Sequence, residues 1–240
     1  MALPLYLAMT AAEMSSENPI PANFAYMACH FSPHSQGLSN LPTTLPKKAM
    51  LILNDNSPCQ GHSPGLVADQ LAKLIDTFQC ESLLLDFQRP SCPETKQVIK
   101  AIISAIETPI AISSGHDKDR DGPIFLPPCP IHIPLDVYLA PWKGREIWLE
   151  AALCQEDVRI TEEGASFIPH FPPDGLLEGF FDEGLCCNYR SRIHDNSIIF
   201  TLFDTPESLE KKLSHAQSLG VSRAVGLWQE LGHKVPPQKK

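Results

Sequence analysis

Asp86 and Gln88 stand two residues apart in the segment ESLLLDFQRP, residues 81–90. Side chains two apart on a strand share a face, so a carboxylate and a carboxamide are presented side by side. The carboxylate can orient or charge a neighbouring polar group. The carboxamide can donate and accept hydrogen bonds but has no acidic proton to deliver at neutral pH. Together they can hold a polar ligand, and they lack a general acid. Glu150, in EIWLEAAL, is a second candidate acid near the end of an apolar run; its other reading is a solvated or salt-bridged residue. Asn54 and Asp55 end the run LILND and either line a site or open a loop. His30 can bond a ligand hydroxyl or serve as a polar residue of a loop. Trp228 ends the run AVGLW and is either a platform for stacking a ring or a core aromatic, whereas Trp142 and Trp148 read as packing residues.

Other reactive residue types give weaker patterns. The nine histidines contain no H-E-x-x-H spacing. The eight cysteines contain no C-x-x-C pair, so no metal site is expected. Free thiols in a reducing compartment are the expectation for a chain of this size whose start, MALPLYLAMTAAEM, has no signal-peptide pattern. Adjacent Cys186 and Cys187 are a redox candidate. The run DKDRDG, 117–122, has calcium-loop composition without the twelve-residue pattern that ends in Glu, and reads as a solvated turn.

The elements that position these residues are short and almost continuously apolar. They span Leu3–Met9, Phe24–Cys29, Ala49–Asn54, Ser82–Phe87, Pro109–Ser113, Ile124–Pro127, Ile147–Ala151 and Ala224–Trp228. Such runs suit parallel strands covered on both faces. Helical patterns alternate with them. GLVADQLAKLIDTF places Leu66, Leu71, Leu74, Ile75 and Phe78 close to helical spacing. PETKQVIKAIISAIE starts with Pro93 and Glu94, which suit a first helical turn. TPESLEKKLSHAQSLG offers Thr205 as a cap, Pro206 at the first position and Gly220 at the exit. Eight strands alternating with helices predict a closed α/β barrel, a (β/α)8 TIM barrel. The competing doubly wound sheet lacks a Gly-rich phosphate turn after its first strand.

Residues 157–203 break the alternation. DVRITEEGASFIP turns at Glu162–Glu163–Gly164 and YRSRIHDNSIIFTLF turns at His194–Asp195–Asn196, while HFPPDGLLEGFFDEG between them reads as irregular. The expected organisation is one barrel domain over 1–232, with 157–203 as a small β-hairpin insertion between strand 7 and helix 7, and a flexible tail at 233–240.

Net charge is −9, with 43% hydrophobic and 20% charged residues. This composition excludes wholesale disorder. The acidic balance argues against a nucleic-acid partner, and no stretch approaches the ~18 apolar residues of a membrane span. The 23 prolines, spread along the chain, read as rigid connections between short elements.

The segment ESLLLDFQRP resembles the fourth-strand signature D-x-x-D-x-D-x-E of the family 18 glycoside hydrolases, the chitinase-like barrels. The signature's first Asp falls on Glu81, its second on Leu84, its third on Asp86 and its catalytic Glu on Gln88; Phe87 and Pro90 fit the positions around it. NSIIFTLFDTPESLEKKLSHAQSLGVSRAVGLWQELG resembles the C-terminal stretch of the same barrels through Asp204, Ser208, Lys212, Gly220, Gly226 and Trp228. The two matches cover about a third of the chain, and the family's Met-x-Tyr-Asp strand has no clear equivalent. The resemblance implies substrate-assisted cleavage, in which the Glu protonates the leaving oxygen and the sugar's acetamido group attacks the anomeric carbon.

With Gln88 at the acid position, the resemblance implies a degenerate barrel that binds an amino-sugar glycan with little or no hydrolysis. General acid catalysis contributes ~10²–10⁴-fold, so its loss raises the barrier by roughly 3–5 kcal/mol, while shape and hydrogen bonds for binding survive. One rival is an active hydrolase with its acid relocated to a residue such as Glu150. Another is a protein-interaction scaffold that uses the 157–203 lobe. No cofactor is expected, and a cytoplasmic location is.

Overall fold

Burial on both faces makes the parallel strands of this chain short and apolar. The computed structural model describes residues 2–15, 18–116, 121–170 and 178–232. Its larger sheet consists of β1 (Leu5–Met9), β2 (Phe24–Phe31), β3 (Leu38–Ser39), β4 (Met50–Asn54), β5 (Ser82–Asp86), β6 (Ile110–Ser113), β7 (Ile124–Leu126), β8 (Ile147–Ala151) and, late in the chain, β14 (Val221–Leu227). The strand order is β1-β14-β8-β7-β6-β5-β4-β2-β3, and the parallel pairing of β1 with β2 closes the ring. Eight parallel strands therefore form a TIM-type barrel, with β3 as a two-residue antiparallel appendage on β2. All eight apolar runs read from the sequence are barrel strands.

Alternation divides the strand residues. Tyr6, Met50, Ile52, Leu84, Phe125, Trp148 and Val225 meet in one cluster and fill the barrel interior. Leu51, Leu53, Leu83 and Leu85, one residue out of step, face outward and meet the helices. The start of the barrel is plugged by Arg223, whose guanidinium lies 4.6 Å from the Trp148 ring centroid and donates to Ser82 Oγ at 3.0 Å. Tyr6 donates to the Glu81 carboxylate at the same end.

The described helices are α1 (Ala11–Met14), α2 (Pro64–Phe78), α3 (Pro93–Ala105), α4 (Leu135–Leu139), α5 (Pro206–Ser218) and α6 (Trp228–Leu231). Ser63 Oγ accepts from Leu66 N to cap α2, and Pro64 occupies the first turn. The buried stripe of α2 is Val67, Ala68, Leu71, Leu74 and Ile75. Leu66, expected in that stripe, is exposed, because the face that meets the sheet runs through positions 67, 71, 74 and 75. Thr205 and Ser208 form a reciprocal capping box on α5, and Gly220 leaves that helix with φ +98°. Among the described residues the helical ring is uneven: only α2, α3 and α5 exceed ten residues.

Between β8 and α5 lies a separate antiparallel sheet: β9 (Gln155–Thr161), β10 (Gly164–Pro169), β11 (Phe180–Asp182), β12 (Cys187–His194) and β13 (Ser197–Phe203), in the order β10-β9-β13-β12-β11. Thr161 pairs with Gly164 and His194 with Ser197, so each tight turn holds two residues. Asp195 takes φ +54° in the second. The segment 180–182, read as irregular from the sequence, is a strand paired with β12. Residues 171–177 of the same stretch, residues 117–120 of the DKDRDG run and the tail 233–240 lie outside the described residues.

Gly226 marks a close approach between β14, β8 and α6. A Cβ there would lie 2.8 Å from the Ala151 carbonyl oxygen and 2.5 Å from Leu231 Cδ1. Gly226→Ala is expected to destabilise the barrel by about 1–3 kcal/mol, read as a lower urea midpoint at unchanged slope; an unchanged midpoint contradicts this packing.

Candidate functional site

At the C-terminal end of the strands a cavity of about 1530 Å³ opens between the barrel and the antiparallel sheet. Strand alternation turns residues 84, 86 and 88 inward. Leu84 is buried in the barrel interior, Asp86 lies at the mouth, and Gln88 is exposed above it. Gln88 Nε2 lies 3.5 Å from both Asp86 carboxylate oxygens. Ser113, at the end of β6, donates to the Leu85 carbonyl at 3.1 Å, accepts from Phe87 N at 3.0 Å and stands 3.5 Å from Asp86 Oδ1. Burial pushes the Asp86 carboxyl up, while hydrogen bonds from Gln88 and Ser113 oppose the rise and nearby Asp55 adds to it.

Glu150 projects from β8 into the same cavity. Burial first, and then the negative charges of Asp86 and Glu230, raise its carboxyl to about 7. A carboxyl in that range holds its proton in a large fraction of molecules at neutral pH and has the acid strength of a general acid. The cavity lining therefore contains a carboxylate, a carboxamide and a protonatable carboxyl.

Four other residues singled out in the sequence do not line the cavity. Trp228 is 6% exposed and packs in the outer core with Met9 and Phe24. On β14, Val225 points inward and Leu227 reaches the cavity, and Trp228 follows as the first residue of α6, turned into the outer core. The side chain at the end of this strand in the cavity is thus an aliphatic one, and the ring platform expected at Trp228 is absent from it. Asn54 is consumed by the backbone, donating to the Met27 carbonyl at 2.9 Å and accepting from Asn56 N at 3.2 Å. His30 contacts the Phe31 carbonyl oxygen and the Asn40 side chain; a register shift between Tyr26 and Cys29 precedes it on β2. Asp55 has a positioning role. Its carboxylate accepts from Gln88 N at 2.9 Å and Arg89 N at 2.8 Å. Arg89 returns hydrogen bonds to the carbonyls of Asp55 and Asn56. The loop that carries Gln88 is thereby stapled to the loop after β4.

The cavity has members that the sequence did not single out as ligand-facing. Ser113 ends an apolar run as a small polar residue, which was its one available signal. Glu230 carries a carboxylate that accepts from Leu153 N. Asp204 also reaches the cavity, yet its side chain is fully enclosed, with Lys212 Nζ at 2.7 and 2.8 Å from its two oxygens. Ser208 Oγ and Cys154 N complete its shell. Among the described residues, no group of three or more His, Cys, Asp or Glu could hold a metal ion, and no helix is long and apolar enough to cross a membrane.

A barrel of this construction places the chain in the fold of the family 18 glycoside hydrolases. The spore cortex-lytic enzyme SleL of Bacillus cereus superposes with a TM-score of 0.58 at 11% identity, covering 98% of this chain and 72% of that one. A family 18 chitinase from Cycas revoluta, in complex with (GlcNAc)4, gives a TM-score of 0.59 at 11% identity and covers 94% of each chain. A class V chitinase from Nicotiana tobaccum in complex with NAG4 gives 0.58 at 10% identity, covering 94% of this chain and 93% of that one. No family model matches the sequence, and no curated protein sequence does. The likeness is one of fold.

The raised Glu150 carboxyl carries a stability consequence. Its pKa is higher in the folded chain than the ordinary 4.5, so its protonated form favours folding and its ionised form opposes it. The penalty is absent well below the ordinary value and grows as pH rises through about 7. Glu150→Gln is expected to be more stable than the unsubstituted protein at pH 8 by about 2–3 kcal/mol relative to their difference at pH 4. Paired urea titrations at the two pH values measure this; a pH-independent difference contradicts the placement of Glu150.

Proposed function

We propose that this barrel binds glycans of the N-acetylglucosamine type in its mouth cavity, with little or no hydrolysis. The observation that carries this reading is Gln88, a carboxamide beside the Asp86 carboxylate at the end of β5 in the mouth cavity. An amide keeps the shape and hydrogen-bonding capacity of a glutamate and has no proton to give a departing alkoxide. Support comes from two solved proteins of this fold, each with a glutamate replaced by glutamine and each in complex with a tetrasaccharide of N-acetylglucosamine. The eight free thiols suit a reducing compartment, consistent with cytoplasmic work on small glycans.

A second reading has its own observation. Glu150 shares the cavity with Asp86 and holds its carboxyl near 7, the property a relocated general acid requires. In that case turnover is lost as pH rises above about 7, because the acid has lost its proton, and Glu150→Gln removes ~10²–10⁴-fold of rate.

Tetra-N-acetylchitotetraose is expected to raise the melting temperature, by an amount equivalent to about 2.7 kcal/mol at a hundredfold excess over Kd. Chromogenic N-acetylglucosamine substrates are expected to release no chromophore. Absence of any thermal or calorimetric response across a panel of such glycans sinks the proposal. Turnover that survives Gln88→Ala and disappears in Glu150→Gln replaces it with the second reading.

A further inference from the structure

The four hydrogen bonds between Asp55, Asn56 and Arg89–Gln88 are not the only link between the loop after β4 and the loop after β5. A few residues further along each loop, Cys59 Sγ and Cys92 Sγ lie 4.0 Å apart. Thr95 Oγ1 sits between them, 3.1 Å from Cys59 Sγ and 3.0 Å from Cys92 Sγ. The two sulfurs differ in access. Cys59 is buried at 5% exposure, and burial pushes its thiol up. Cys92 is half-buried, caps α3 through a contact with Thr95 N at 3.5 Å, and receives Gln60 Nε2 at 3.6 Å. An accessible thiol with several donors around it, backed by an enclosed thiol at near-contact distance, is the arrangement of an attacking and a resolving cysteine.

We propose that Cys59 and Cys92 form a peroxide-sensitive dithiol whose oxidation joins the loop after β4 to the start of α3 and locks the segment that carries Gln88. The oxidant is a hydroperoxide. Cys92 sulfur attacks one peroxide oxygen; the S–O bond forms, the O–O bond breaks, and the departing hydroxide takes the thiol proton and leaves as water. Cys59 sulfur then attacks the Cys92 sulfur; the S–S bond forms, the S–O bond breaks, and the hydroxide leaves as a second water with the Cys59 proton. Two thiols lose two electrons and one hydrogen peroxide becomes two waters. The Sγ atoms must approach from 4.0 Å to the ~2 Å of a disulfide. The dithiol stands independently of what the cavity binds, because it faces the helix side of the two loops.

The intact protein, treated with hydrogen peroxide and digested without reductant, is expected to yield one peptide pair cross-linked through Cys59 and Cys92, lighter than the reduced pair by two hydrogens. Its melting temperature should rise by roughly 5 °C, reversed by dithiothreitol. In Cys59→Ser, dimedone should label Cys92 as a trapped sulfenic acid, and in Cys92→Ser no label should appear at Cys59. Cys92 driven to sulfinic acid in the unsubstituted protein with no cross-link, a cross-link between other cysteines, or an unreactive Cys92 each overturns the proposal. The digest of the unsubstituted protein decides it even where a serine variant fails to fold.

Discussion

Barrel closure fixes which side chains can reach the mouth. Once β1 pairs with β2, every strand has one face toward the barrel interior and one toward the helices, and the period of two leaves no intermediate orientation. A residue's place in the chemistry follows from its parity on the strand. Asp86, Gln88 and Glu150 have inward parity with Leu84 and Trp148. Trp228 lies past the end of β14 as the first residue of α6, and its ring is core. The interior fill beneath the mouth then sets the electrostatics. Leu84, Phe125 and Trp148 exclude water from below, and the carboxyls above them are forced upward by loss of solvent.

Two kinds of acidic residue are handled differently around the cavity. Asp204 is enclosed completely and receives Lys212 Nζ on both oxygens together with Ser208 and Cys154. Removing one member of such a buried pair strands the other, while the intact pair is close to neutral in net stability. Among the described residues Glu150 has no such cation, and it meets two further carboxylates instead. The first arrangement fixes how the antiparallel sheet and α5 join the barrel. The second keeps a proton exchangeable in the cavity.

Much of this was written in the sequence in a physically simple code. Strands covered on both faces are continuously apolar, which made all eight barrel strands legible. Pro93 and the cap at Thr205 marked two of the helix starts, whereas the Ser63 cap of α2 was not read from the sequence. The site was partly legible, because Asp86, Gln88 and Glu150 are polar residues at the ends of apolar runs. The last strand concealed its parity. It begins at Val221, and its early inward residue is Arg223, stacked on Trp148 at the closed end of the barrel. Taken as a strand from Ala224 to Trp228, the same residues offer the indole to the mouth; taken from 221 to 227, with Trp228 opening α6, they withdraw it. The roles of Asn54 and Asp55 were hidden for another reason. Each binds backbone groups across loops that no local pattern brings together.

The described helices buttress the barrel unevenly. Strands β4 and β5 are buttressed by α2 and α3, whose apolar stripes meet the outward leucines of those strands. Among the described residues, neither the β2–β4 nor the β6–β7 connection carries a helix, and β7 is only three residues long. Cooperative protection of backbone amides is built from such buttressing. Exchange with deuterium is therefore expected to reach the α2–α3 flank last.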